Sequence, residues 1–142
     1  MSANFLLSLF TVKEIPMPAS SESADPTIDL VFLVGSLARP PQIRTLPSAT
    51  ELVELEVSTR RPGERADTVP VTMFSPPRSV TTLTAGARVA VVGRVQRRFF
   101  RRGGRTESRT QVTADRVVPA GQRRRLAPAL DAVRQTLDSF DG

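Results

Sequence analysis

Arg88-Val89-Ala90-Val91-Val92-Gly93-Arg94-Val95-Gln96-Arg97-Arg98-Phe99-Phe100 is the stretch on which the fold turns. Its β-branched residues and its length read as one long strand. The two-residue period of a strand puts Val89, Val91 and Val95 on one face, expected to point inward. Gly93 offers no side chain to pack in the middle of that run. Such a glycine marks a bulge or a sharp bend, which a sheet needs when it curls to close. Gly103-Gly104 then reads as a hairpin tip. Glu107 to Val118 returns as the last strand, with Val112, Ala114 and Val117 inward.

Working outward, Ile28 to Leu37 is an apolar, β-branched run that reads as a buried strand. Pro40, Pro41, Pro47 and Ser48 mark a loop. Glu51 to Ser58 alternates, with Val53, Leu55 and Val57 facing one way and Glu54 and Glu56 the other. Pro62-Gly63 is a turn signal. Thr68 to Phe74 alternates again, with Val69, Val71 and Met73 on one face and Thr68, Pro70, Thr72 and Phe74 opposite. Pro70 inside that strand argues for an edge or a bulge. Pro76-Pro77 ends the strand, and Val80 to Leu83 reads as a short helical turn closed by Gly86. Five strands, with a short helix between strands 3 and 4, is the order of an all-β OB-fold barrel.

Beyond residue 120 the period changes. Leu126, Leu130, Val133, Leu137 and Phe140 recur at steps of four and three, the stripe of an amphipathic helix. Pro128 falls in its first turn, where proline is tolerated. The expected organisation is a polar, proline-broken disordered leader over 1–26, an OB-fold domain over 27–119 and a C-terminal helical tail over 120–142. Met17 offers a second start, so residues 1–16 read as an over-extended gene start.

The 142-residue chain contains no Cys, His, Trp or Tyr. Zinc sites built on Cys or His, His-based general bases and disulfides are thereby excluded. No GxxxxGK[ST] loop or GxSxG elbow is present, and the single Lys, Lys13, lies in the leader. No enzyme, cofactor or metal is expected. No run approaches the roughly 20 apolar residues of a membrane span, and Phe5 to Phe10 lacks the flanks of a secretory signal. A cytoplasmic, nucleoid-associated protein is expected. Nineteen Arg and a net charge of +6 point to a polyanionic partner.

The charge is concentrated in Arg94-Val95-Gln96-Arg97-Arg98-Phe99-Phe100-Arg101-Arg102-Gly103-Gly104-Arg105, six Arg and two Phe in twelve residues. A basic hairpin with an open aromatic ring suits single-stranded nucleic acid: guanidinium groups track phosphates, and the ring stacks on an unpaired base. Alternation assigns Phe99 to the inward set and Phe100 to the outward one, so Phe100 is the expected base contact. Phe74, on a polar face, either stacks on a base or seals the end of the sheet under Pro76-Pro77. Arg60 and Arg61 border the same expected groove, and Arg39 and Arg44 flank the first loop. Glu54 and Glu56 read as a solubilising pair on an exposed face. The alternative reading is a protein-interaction module that has lost nucleic-acid binding. Its apolar stripe from Leu126 to Phe140 would then serve a partner instead of the chain's own sheet.

The run Ile28 to Ser48, the strand Thr68 to Phe74, the strand Gly86 to Val95 and the strand Thr110 to Val117 together resemble the bacterial single-stranded DNA-binding protein family. The resemblance covers about 90 residues in order. It implies an OB-fold, cofactor-free binding of single-stranded DNA in replication, recombination or repair, and assembly of four such domains, usually as a homotetramer. It also puts base-stacking positions at Phe74 and Phe100. The chain departs from the family at Thr68 and at Arg60-Arg61, where aromatics are usual, at Ala49, which stands for a loop glycine, and at Pro76-Pro77. Asp138-Ser139-Phe140-Asp141-Gly142 is at best a remnant of the family's acidic tail tip. These departures weigh against tight binding and against the implied recruitment of replication proteins, and the chain reads as a divergent or accessory member.

Overall fold

The computed structural model describes residues 27–140, and Asp29–Ser139 form one compact unit. Its strands are β1 (Val31–Leu37), β2 (Gln42–Thr45), β3 (Glu51–Thr59), β4 (Asp67–Phe74), β5 (Arg88–Arg102) and β6 (Arg105–Pro119). One helical turn, α1 (Arg78–Thr81), separates β4 from β5, and a 3-10 turn (Arg123–Leu126) leads into the helix α2 (Ala127–Ser139). The strands form one six-stranded sheet in the order β1-β5-β6-β4-β3-β2. β1 also pairs with β3 through Ser36–Ser58 and Leu37–Val57. The pairings therefore run in a ring through β1, β5, β6, β4 and β3, with β2 attached to β3 alone.

Two glycines allow the sheet to curl this far. β1 pairs with β5 from Val31–Gly93 to Ser36–Arg88 and meets β3 at Ser36 and Leu37. A Cβ on Gly35 would stand 2.3 Å from the Ser58 carbonyl oxygen. Where β5 crosses β6 the register shifts between Val92 and Gly93, and a Cβ on Gly93 would stand 2.2 Å from the Thr113 carbonyl oxygen. Backbone approach this close admits only hydrogen at Cα. The bend expected at Gly93 is thus observed, with the extra residue, Asp115, on the β6 side.

Inside the ring lies a core of Leu37, Val53, Leu55, Val57, Val71, Val80, Val89, Val91, Val112, Ala114 and Val117. The inward sets read from β3, β4 and β6 are all in it or packed against it. Val80 of α1 is fully buried. A second core lies on the other face of β1 and β5, where Ala90 and Val92 with Phe32 and Val34 meet Leu126, Ala129, Ala132 and Val133. The C-terminal helix therefore packs on its own sheet. Its stripe is narrower than the sequence suggests: Leu130 and Leu137 are exposed. Phe140 lies outside the compact unit.

Three expectations are corrected. The loop expected between Leu37 and Glu51 contains β2, which pairs with β3 from Gln42–Glu54 to Thr45–Glu51. All four of its residues are exposed, so it carries no alternation for a sequence reading to detect. With β2 counted, the helical turn stands between β4 and β5, and none lies between β3 and β4. Val95, expected inward, is 49% exposed. The leader over 1–26, including Lys13 and Met17, and the final Asp141-Gly142 lie outside the described residues. No helix among those described is long and apolar enough to cross a membrane. No cluster of three or more metal-ligating side chains occurs among them.

Candidate nucleic-acid interface

β5 and β6 are each 15 residues long and outrun the rest of the sheet. β1 leaves β5 at Gly93, and β4 touches β6 only at Val112 and Thr113. Where β1 ends, the Val95 N–H donates instead to the Asp29 carboxylate at 2.9 Å. From Arg97–Thr110 to Arg102–Arg105 the two strands pair only with each other. This arm is about 20 Å long at the usual rise per residue. Gly103 and Gly104 close it with φ of 57° and 79°, the left-handed pair of a type I′ turn. Residues 94–109 hold seven Arg and one Glu.

Register and alternation divide the arm into two faces. Arg98, Phe100 and Arg102 lie opposite Arg109, Glu107 and Arg105 on one face, and Arg97, Phe99 and Arg101 lie opposite Thr110, Ser108 and Thr106 on the other. The Arg97 guanidinium donates to Ser108 Oγ at 2.8 and 3.1 Å and stands 5.6 Å from the centroid of the Phe99 ring. Arg102 stands over Phe100 at 5.8 Å.

At the root of the arm a groove runs onto the outer face of the sheet. Its wall is the arm from Arg98 to Phe100 with Arg102, its floor is Leu46 and Leu52, and Arg44 and Glu54 stand across from the arm. Arg44, Glu54, Arg109 and Gln111 also line the adjoining hollow, which reaches Arg39, Glu56 and Thr72, so the two form one path. Phe74 ends β4 directly across from Leu52 and is 42% exposed. The path is not uniformly positive. Arg44 Nε is 3.1 Å from Glu54, and Arg39 pairs with Glu56. The two carboxylates read as solubilising are thus partners of two candidate cations.

The candidate residues divide as follows. Arg98, Phe100 and Arg102 share the groove with Arg44, and Arg39 lies farther along the same path. Arg105 closes the arm opposite Arg102, and Arg101 donates to the Gly104 carbonyl at 3.3 Å. Arg94, at the arm's base, is 3.9 Å from Asp115. Arg97 lies on the opposite face. Arg60 and Arg61, expected beside the groove, lie elsewhere: Arg60 lines a separate hollow with Ser36, Ser58 and Arg88, and Arg61 pairs with Glu64 across the Pro62-Gly63 turn. Phe99, read as inward, is 67% exposed, because the interior ends before its parity can place it there. Sequence reading also missed Arg109 and Gln111, whose place in the groove depends on the β5–β6 register. Their one sequence signal was their position in the strand that returns from a basic hairpin.

A curled β-sheet that continues into a basic, ring-bearing arm makes this a small β-protein with one strongly cationic extension. The chain belongs to the single-strand binding protein family, whose profile matches residues 28–119. An OB-fold is in keeping with that membership, which ties the chain to single-strand binding in general. No curated protein matches the chain.

Proposed function

We propose that this protein binds single-stranded DNA without reading its sequence, along the path from the arm to the outer sheet face. Phe100 and Phe74 stack on unpaired bases, and Arg98, Arg102, Arg105 and Arg109 neutralise phosphates. The observation that carries this reading is the exposed Phe100 ring held among guanidinium groups beside an open groove. Stacking is sequence-tolerant because every base has a π-face, and it contributes roughly 1–3 kcal/mol per base. Phosphate contacts add a salt-dependent term. Neither contribution calls for a catalytic step, a cofactor or a metal. The ring of strand pairings supports the five-stranded OB barrel as the architecture, with β2 as an added edge strand. A homo-oligomeric, cytoplasmic, nucleoid-associated protein acting in replication, recombination or repair is the setting that the family resemblance supports.

Fluorescence anisotropy with single- and double-stranded oligonucleotides at two salt concentrations tests the reading. Tighter binding of the single strand, falling steeply with salt, is expected. Equal or absent binding of both would overturn it. The second reading, an interaction module without nucleic-acid binding, finds support in one observation: Glu54 and Glu56 neutralise Arg44 and Arg39 on the sheet face. A loss of all oligonucleotide binding in the same titration would favour it.

A further inference from the structure

The arm's second face repeats the chemistry of the first, and of its residues Phe99 alone borders the path just described, while Arg97 and Arg101 lie outside it. Phe99 is 67% exposed on a face whose other five residues are Arg, Ser or Thr. It sits under the Arg97 guanidinium, and Arg101 follows on the same face. Across from them stand Thr106, Ser108 and Thr110, and no carboxylate is among these six arm residues. Arg97 is held in place by its two bonds to Ser108, so the cation beside the ring is positioned before any ligand arrives.

We infer that the arm is two-sided: Phe99, Arg97 and Arg101 bind a second segment of single-stranded nucleic acid while the Phe100 face holds the first. The inference rests on the single-strand binding proposed above and extends it to strand bridging. Charge complementarity selects the occupant. A second copy of this chain would bring an equally basic arm face to this one, whereas a single strand brings phosphates and unpaired bases to guanidinium groups and a ring. A ribbon only one strand pair thick separates the two faces. Two strands held there lie close together, the arrangement that promotes pairing between complementary segments or compaction of one long strand.

The test uses the full chain, a biotinylated oligo-dT of about 12 nucleotides, the order of one OB-fold site, and a fluorescent oligo-dT of the same length. The two cannot pair with each other, so fluorescence retained on streptavidin reports bridging by protein. The wild type is expected to retain it. Phe99→Ala is expected to lower bridging about fivefold or more, the loss of one stacked base. Arg97→Ala, on the same face and outside the groove, should also lower bridging while its affinity for a single oligo-dT by anisotropy stays within about twofold, and Phe99→Trp should restore the bridging lost in Phe99→Ala. Phe100→Ala should weaken the single-oligonucleotide titration itself. A wild type that binds one oligo-dT but never retains a second would overturn the inference and leave the proposed function standing. Bridging unchanged in Phe99→Ala would do the same. So would a shift in oligomeric state of Phe99→Ala on size exclusion, since Phe99 would then be a contact between copies. A wild type that binds no oligo-dT at all would overturn both.

Discussion

The Arg102 guanidinium stands 5.8 Å from the centre of the Phe100 ring, on the arm face that runs down into the groove. A cation over a ring of this exposure contributes roughly 0.5–1 kcal/mol. On the proposed reading, a ring set beside a positive charge offers an arriving base a surface partly ordered in advance, which lowers the entropy lost on binding.

Phe100→Ala combined with Phe74→Ala is therefore expected to weaken oligo-dT binding by about thirtyfold or more, from two stacking contacts of roughly 1–3 kcal/mol each. Arg101→Ala, whose side chain reaches the Gly104 carbonyl, should cost less. Parallel anisotropy titrations at one salt concentration check the order. Unchanged affinity in the double variant would remove stacking from the mechanism.

Arg98 and Arg109 face each other across β5 and β6. Like charges directly opposite destabilise a sheet pair by roughly 0.2–1 kcal/mol, so this pair stands at a cost to the arm. Arg109→Thr should raise thermal stability slightly and at the same time weaken binding. The slope of log K against log salt should fall by about 0.7, one phosphate contact to a single strand. Thermal melts and a salt series on the same sample separate the two effects.

Glu54 holds Arg44 in the groove at 3.1 Å. An exposed pair of this kind contributes roughly 0–1 kcal/mol to stability, so Glu54→Gln should scarcely move the melting temperature. It should free Arg44 for phosphate and remove a repelling carboxylate. Tighter binding with a steeper salt dependence is the expected outcome of the titration. Weaker binding would show that Glu54 itself contacts the ligand.

Leu55 is 2% exposed at the centre of the inner core. Leu55→Ala should cost about 2–5 kcal/mol in chemical denaturation. Ala49 tests the backbone in the opposite direction. It occupies the left-handed region at φ 69° while its N–H donates to the Leu46 carbonyl at 2.8 Å. Ala49→Gly should stabilise by about 0.5–1 kcal/mol, the left-handed penalty less the added freedom of glycine in the unfolded chain.

Truncation after Gly121 would uncover Phe32, Val34, Ala90 and Val92, which α2 now covers. The shortened chain should self-associate or lose stability, while any folded fraction keeps its affinity for oligo-dT, since the groove and arm contain no residue of α2. Size exclusion followed by titration of the monodisperse fraction reads both. Loss of DNA affinity in a well-folded truncation would place the helix in the interface.

Much of this molecule was legible as alternation. Val53, Leu55 and Val57 of β3, and Val69, Val71 and Met73 of β4, face the core they were read to face. Gly93 marked the bend because a side chain there would collide with the neighbouring backbone. β2 was not legible, since a wholly exposed edge strand bears no hydrophobic period. Nor was the Arg44–Glu54 pair, which arises only when β2 lies beside β3.

The chain order of residues alone decided which side chains share a strand face, where the turns fall and where the sheet must bend, because these follow from the two-residue period and from local sterics. Only the assembled sheet decided how far along β5 the interior extends. Parity puts Val95 and Phe99 with Val89 and Val91, but β1 reaches β5 no farther than Gly93, and β4 pairs with β6 at no residue on the arm side of Val112. A residue is buried by its neighbours as well as by its direction. Beyond the last adjoining strand the inward face of β5 becomes a second open face, and Phe99 stands on it in solvent.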